Sequence, residues 1–527
     1  MKQKKLISLL IAMTMVTALV FTGCGSSNDN ESTGDSTSLV IAIQDEIEGT
    51  DIQQIGWENV VHTLIYSPLV TFSDDLKEVL PCFAESYELS KDGKEITFHL
   101  FEDAKFSNGE PLTAESVKLS VERMKEISEY AGDIEAVEEV EVVDDTTVKY
   151  KLSQPAPYMW ASLTSTYGGV VDAKTAKELG NDEFNRCAVT NGPYRVKEWQ
   201  AGSQLILEKN PHFKTSDPNV ENKGELSFDE IIVRFIPDEF TRVSELEAGN
   251  VDIIYDVPAS SVNDLKGNDA LTVHEYKQAG VTYIRVNTFD EGLKDIKVRE
   301  ALNYCLDRDA IAEALNNTVT PAYGYLTDAQ AGYDDAVEKE LAAKFKHDIE
   351  KAKTLLKEAG YEDKDGDGIV EKDGKKLSFE FASPTDKAAP KAAIPVIQEQ
   401  LKQIGVEVNI KEYEAQYIKQ IARDGKDQLS TGTYLWNDAD ILYYIFTKES
   451  GYKWDNPETT ALLEEGRYVI DSEARAKKYG EFEQAMIKYL PGIPVFAENY
   501  AIACRNNVKG VVVTNDGRTI FNDVTKE

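Results

Sequence analysis

The chain has 527 residues, 42% of them hydrophobic and 28% charged, which is enough apolar material to fold and too much length for one ordinary core. Asp plus Glu number 93 against 57 Lys plus Arg, a formal net charge of −36 that repels phosphate backbones and excludes a nucleic-acid partner. Five cysteines (Cys24, Cys82, Cys187, Cys305 and Cys504), with no pair at metal-ligand or redox spacing, exclude a disulfide scaffold and a zinc module.

At the N-terminus, Lys2, Lys4 and Lys5 precede the uncharged apolar run from Leu6 to Phe21, the pattern of a secretory signal. As a helix this run extends ~24 Å, short of the ~30 Å hydrocarbon core, so a permanent span is the weaker reading. It ends in Phe21-Thr22-Gly23-Cys24, which resembles the lipobox of bacterial lipoproteins, although Phe21 stands where Leu or Val is usual. That resemblance implies a signal peptide over residues 1–23 and acylation of Cys24. The alternative is a soluble secreted protein in which Cys24 is incidental. Residues 24–38, rich in Ser, Asn, Asp, Gly and Thr, read as a flexible tether.

The folded part opens on Leu39-Val40-Ile41-Ala42-Ile43, a buried-strand pattern. Alternation at Ile96, Phe98 and Leu100, and again at Leu377, Phe379 and Phe381, predicts half-buried strands. Thr113 is placed to cap a helix running to Met124, with Glu115 in its first turn. Helical spacing recurs at Val298, Ala301, Leu302, Cys305 and Leu306, at Ile349, Ala352, Leu355, Leu356 and Ala359, and at Ile397, Leu401 and Ile404. Gly405 then stops the last helix before the strand-like Val406–Ile410. Helices and strands alternate along most of the length, so the fold class is α/β.

Catalytic signatures are lacking. His274-Glu275 has no second histidine at zincin spacing, and there is no nucleophile elbow, phosphate loop or dinucleotide fingerprint. Among so many acids a glycosidase carboxylate pair is not excluded by counting, but nothing supports one. Asp363, Asp365 and Asp367 follow the first half of a calcium loop, yet the twelfth position is Gly374 and Glu371 is the nearby substitute acid. A solvated turn between a helix and a strand is the expected reading, with no metal and no cofactor.

Several segments together resemble the family 5 extracellular solute-binding proteins, receptors of peptide and nickel ABC importers. They are IYSPLV (Ile65–Val70), FAESYELSKDGKEITFHL (Phe83–Leu100), KFSNGEPLTAESV (Lys105–Val117), NGPY (Asn191–Tyr194), KNP (Lys209–Pro211) and SELEAGNVDI (Ser244–Ile253). Further on come VREALNYCLDRDAI (Val298–Ile311), EKAKTLLKEAGY (Glu350–Tyr361) and IQEQLKQIGVEV (Ile397–Val408), all in the family's order. Most of these residues have structural roles: Asp92-Gly93 and Asn108-Gly109 suit tight turns, Gly192-Pro193 a bend, and Arg299 and Asp307-Arg308 helix-end and inter-element contacts.

The resemblance implies a two-lobe periplasmic-binding-protein-like fold of the cluster C type. Lobe I would comprise residues 39–283 plus 499–527, with a subdomain inserted at about 70–190, and lobe II residues 284–498. The crossings fall near Val281–Asn287 and Ile493–Tyr500. The function implied is a monomeric, non-enzymatic receptor, lipid-anchored on the outer face of a Gram-positive membrane or in a periplasm. It would deliver a small solute, foremost an oligopeptide or dipeptide, to ABC permease subunits. Such a site needs a carboxylate for the ligand's ammonium and a cation for its carboxylate. In relatives the acid follows a tryptophan; here Tyr434-Leu435-Trp436-Asn437-Asp438-Ala439-Asp440 is the matching stretch, with neither acid at the family's offset. Asp438, then Asp440, is the expected ammonium partner, and surface-loop acids are the alternative. Trp436, Tyr434, Asn437, Trp57 and Tyr167 are expected walls of the site, and Lys387 the carboxylate's cation. Nickel-chelate, haem and sugar-derivative receptors are alternatives of the same fold, although the arginine and histidine of nickel receptors are missing. A secreted hydrolase and a non-transporting extracellular sensor are alternatives of other classes.

Overall fold

The structure is a computed structural model that describes residues 37–224, 226–515 and 517–527. The expected signal peptide, Cys24 and all but the end of the tether lie outside the described residues. No helix among the described residues is long and apolar enough to cross a membrane.

A 12-stranded mixed sheet organises the molecule. Its first strand, β1 (Ser38–Ile43), is the predicted apolar run. The chain then leaves the sheet for a region with its own core. Strands β2 (Ser86–Leu89), β3 (Glu95–His99), β4 (Val137–Val142) and β5 (Thr147–Leu152) form a separate antiparallel sheet in the order β2-β3-β5-β4. Helix α1 (Ala114–Ile127) places Val117 and Met124 in the same buried cluster as Ile96, Phe98, Val148 and Tyr150. Thr113 precedes this helix as expected, its N–H donating to Ser116 Oγ at 3.2 Å. The hairpin between β2 and β3 turns at Asp92-Gly93, with Gly93 at φ +68°, a conformation only glycine adopts without strain.

The main sheet resumes with β6 (Tyr194–Gln200), β7 (Gln204–Lys209), β8 (Glu230–Phe235), β9 (Ile253–Ile254), β10 (Leu271–Lys277) and β11 (Thr282–Val286). Gly192, just before β6, is required by close approach: a Cβ there would lie 2.2 Å from the Ile65 carbonyl carbon. Strands β12 (Val319–Pro321), β13 (Ser378–Pro384), β14 (Glu407–Tyr413), β15 (Leu429–Gly432) and β16 (Gly492–Arg505) complete the sheet. Its order is β14-β13-β15-β11-β16-β9-β1-β8-β7-β6, with β10 and β12 also paired to β16. The 14-residue β16 therefore spans both halves: Gly492–Phe496 pairs with β11, and Asn499–Arg505 with β10. Each half has its own apolar core. One is built on Leu39, Ile41, Ile231 and Val233, the other on Val298, Leu302, Phe379, Phe381 and Ile397.

The helices fall where the apolar spacing sets them: α2 (Ile296–Cys305), α3 (Ile349–Glu358) and α4 (Ala388–Lys402), with Gly405 at φ +78° after the last. Leu306, Ala359 and Ile404 lie just beyond their helices and are still buried. Arg299 and Arg308 hold elements together, and Asp307 caps the helix Arg308–Ala314. Arg299 donates to the Leu293 carbonyl at 2.6 Å and Asp307 accepts from Ala310 N–H at 3.0 Å. The buried Arg308 guanidinium donates to the carbonyls of Ala322 (3.0 Å) and Pro494 (2.6 Å). Burial pulls its pKa down to about 10. Cys82, Cys187, Cys305 and Cys504 are free thiols.

One buried acid gives the fold a pH dependence. Glu483 accepts from the N–H groups of Tyr325 (2.5 Å) and Leu326 (3.2 Å), while Glu338 accepts from those of Tyr323 (2.9 Å) and Gly324 (2.7 Å). Burial, reinforced by Glu338, pushes Glu483 from the ordinary 4.5 up to about 8. The folded chain therefore binds a proton there that the unfolded chain releases. This contribution to stability is complete below pH 4.5 and is lost as pH rises through about 8. Glu483→Gln keeps the accepting oxygen and removes the titration. Thermal unfolding should show the variant melting above the wild type at pH 8, with the difference gone by pH 4.5.

Candidate functional site

A cavity of about 570 Å³ is lined by residues from both halves of the sheet, within the ~300–1,000 Å³ range of small-molecule sites. From the first half it takes Trp57. From the second it takes Tyr283 and Arg285 on β11, Pro384 at the end of β13, Lys387, and Thr431 to Leu435 on and after β15. Helix α5 (Ala415–Arg423) adds Ile418, Lys419, Ala422 and Arg423, and α6 (Ile441–Phe446) adds Tyr444 and Ile445 beside Glu449 and Tyr452.

Trp57 is 64% exposed, an unusual cost for so large an apolar side chain, yet its loop is firmly held. Gly56 N–H donates to Glu48 Oε2 at 2.7 Å, and the Gly56 carbonyl accepts from the hydroxyls of Tyr130 and Tyr167. Glu58 N–H donates to the Tyr167 hydroxyl at 3.1 Å, and Glu58 Oε2 accepts from Thr166 N–H at 3.1 Å. Tyr167 is thus buried beneath the loop against Tyr130, ring centroids 4.4 Å apart, and is not a wall of the cavity. It positions Trp57 instead.

The two expected ammonium-binding acids face inward. Asp438 is 1% exposed and receives a bidentate pair from Arg475, Nη1 to Oδ2 at 2.7 Å and Nη2 to Oδ1 at 2.6 Å. Burial works most strongly against the Arg475 charge, but Asp438, Tyr479 and Asp440 together outweigh it and hold its pKa above the ordinary range. Asp440 is 3% exposed, with Arg467 Nε 3.0 Å from Oδ1 and the Tyr479 hydroxyl donating to the same oxygen at 3.3 Å. Burial pushes it up to about 6 despite Arg467. Arg467 lies over the Tyr158 ring at 4.5 Å, joining this segment to the inserted region. The expectation of a ligand-facing Asp438 or Asp440 is therefore corrected: each carboxylate already has a resident guanidinium. Neither lines the cavity.

Tyr434, Lys387 and Trp57 do meet at the cavity. Trp436 and Asn437 do not line it; their main chain instead ties the segment down. Trp436 N–H donates to the Ala279 carbonyl at 2.9 Å, and the Asn437 carbonyl accepts from Ala331 N–H at 2.8 Å. At the calcium-like loop, ligand oxygens of Asp363, Asp365 and Glu371 come within 4.8 Å of one another, while Asp367 bonds Lys376. Asp363 accepts from the Gly366 and Gly368 N–H groups at 2.7 and 3.0 Å, and Glu371 from Lys364 N–H at 3.2 Å. These bonds account for the carboxylates as turn formers, with α3 before and a short hairpin (Glu371–Lys372 with Lys375–Lys376) after.

The sequence model of the bacterial extracellular solute-binding proteins, family 5, middle region, matches residues 78–454. The chain belongs to this family. The probable D,D-dipeptide-binding periplasmic protein DdpA of Escherichia coli (strain K12) is 27% identical over 457 residues, 83% of each chain. The oligopeptide-binding protein AppA of Bacillus subtilis (strain 168) is 26% identical over 541 residues, 97% of this chain and 96% of its own. Among solved structures, HbpA2 from Haemophilus parasuis has a TM-score of 0.79 at 23% identity, over 93% of this chain and 100% of its own. NikA from Brucella suis, in complex with Fe(III)-EDTA, has a TM-score of 0.80 at 21% identity with the same coverage. At these identities the structures establish the family 5 fold.

In this family 5 protein, sequence reasoning missed Arg285, Lys419, Arg423 and Tyr452. A signal for the first was present, since Arg285 is a lone charge in the apolar run Tyr283–Val286, at the expected crossing. Lys419 and Arg423 lie four residues apart on a helix whose buried Ile418 and Ala422 line the same cavity beside them. The Asp438–Arg475 pair predicts a specific mutational pattern. Arg475→Met strands a buried carboxylate and should cost about 3–5 kcal/mol in denaturant unfolding, whereas the double variant with Asp438→Leu should recover much of that loss.

Proposed function

We propose that the protein is the solute receptor of an ABC importer. In this reading it is anchored outside the cytoplasm through lipid on Cys24, works as a monomer, and captures a small solute, foremost a short peptide. The two halves of the sheet, residues 39–283 with 499–527 and residues 284–498, act as lobes that close on the solute about β11 and β16. Closure turns binding energy into a shape that a permease recognises, and the solute leaves chemically unchanged.

The observation that carries the reading is the cavity of about 570 Å³ in which Trp57, from one half, faces the aromatic and cationic wall of the other. A large exposed indole on a pinned loop costs little to order on binding, because its backbone is already fixed. Tyr444 and Tyr452 offer further flat apolar area that suits a ligand of varied side chains. DdpA and AppA, named for dipeptide and oligopeptide binding, favour a peptide among solutes of this size.

Native mass spectrometry of protein purified from its own cells tests this reading. The expected result is a 1:1 complex with a small solute whose mass is unchanged after release. Trp57→Ala should weaken its rebinding by roughly tenfold with the melting temperature unaltered. Undiminished affinity, or a solute released in cleaved form, would contradict the proposal.

A further inference from the structure

Taking the cavity as the solute site, we infer that the protein recognises its solute through a carboxylate held by Arg285, Lys419 and Arg423, and that an ammonium on the solute contributes little. The cavity's sign runs against the composition of the chain. Acids outnumber bases 93 to 57 overall, yet the cavity wall carries four cations, these three and Lys387, against the single acid Glu449. The acids that would have balanced them, Asp438 and Asp440, are turned inward onto Arg475 and Arg467.

Arg285 is held for recognition. Its guanidinium carbon lies 3.5 Å from the centroid of the Tyr452 ring, and one Nη donates to the Tyr283 hydroxyl at 3.0 Å. Of the five N–H groups of an arginine, this is the single one with a partner among the described residues. A stacked, half-buried guanidinium with open donors matches the planar, two-pronged geometry of a carboxylate. Lys419 has no ion-pair partner among the described residues, and Arg423 donates its Nε to the Ser450 carbonyl at 3.2 Å. Two like charges one turn apart on the same helix repel each other, and the acids of that helix stand only at its caps, Glu414 and Asp424. An anion bound beside them offsets that repulsion.

The carboxylate can belong to a peptide C-terminus or to a small organic acid, and calorimetry with four probes separates the sources. The probes are trialanine, its C-terminal amide, its N-acetyl form, and glutarate. The inference predicts that amidation weakens binding by roughly tenfold to a hundredfold while acetylation changes it by less than about threefold. Lys419→Met, a surface change that leaves the fold intact, should weaken trialanine and N-acetyl-trialanine alike by roughly tenfold, and Arg285→Lys should do so through loss of the two-pronged contact. Glutarate displacing trialanine supports recognition of any carboxylate; glutarate failing while amidation still weakens binding assigns the carboxylate to the peptide end. Amide and acid binding equally, or acetylation costing as much as amidation, overturns the inference and leaves the receptor reading standing. Failure of all four probes, together with a co-purified solute that lacks a carboxylate and is not a peptide, overturns the inference and the peptide reading together.

Discussion

The structure depends on one strand being shared. Gly492–Arg505 pairs with β11 at one end and with β10 and β9 at the other, so it is the element through which the sheet is continuous. Such a strand has to tolerate a change of direction without losing its partners. It does so at Pro494-Val495, where the register against Thr282 and Tyr283 slips by one residue. A proline inside a central strand is normally excluded because it cannot donate to the ladder, and the bulge makes room for it. The Pro494 carbonyl is then taken by the buried Arg308 guanidinium, so the irregularity is satisfied. This joint also sets the positions of Tyr283 and Arg285, the two wall residues supplied by the partner strand.

From that joint follows a division of charge. Arginines on the helices after β15 are consumed internally: Arg475 and Arg467 neutralise Asp438 and Asp440 in a region too dry to hold them otherwise. Cations on β11 and α5 are instead left at the rim of open space. The cavity wall thus carries four cations and one acid within a strongly acidic molecule. Opposite this wall stands Trp57, whose exposure makes sense only because Tyr130, Tyr167, Glu48 and Glu58 have fixed the loop beneath it. In the proposed reading, recognition is divided between a rigid apolar platform on one half and a charged surface on the other.

Much of the fold was legible in the residues themselves. Local periodicity identified β1, β3, β13, α2 and α3, and the turns at Gly93 and Gly405 declared themselves through glycine. The long helix Ala388–Lys402 was only half visible because Pro390 and Pro395 interrupt its pattern; a proline near the start costs nothing there. The site was less legible for a physical reason. Whether an acid serves a ligand or the core depends on what neutralises it, and the partner of Asp438 lies 37 residues further on, on another helix. Tyr167 showed the same limit: its position was foreseen as a cleft loop, but its hydroxyl works on the backbone of Gly56 and Glu58, over a hundred residues earlier. The resemblance to relatives located the region; only the packing distinguished Lys387 and Tyr434, which face the cavity, from Asp438, which does not.

A crystal structure of the protein with its natural solute tests the central claim most directly. The expected result is continuous density for an intact solute between the Trp57 indole and the Arg285 guanidinium, touching both halves of the sheet. Density confined to one half, or a solute bound with Trp57 still facing open solvent, would contradict it.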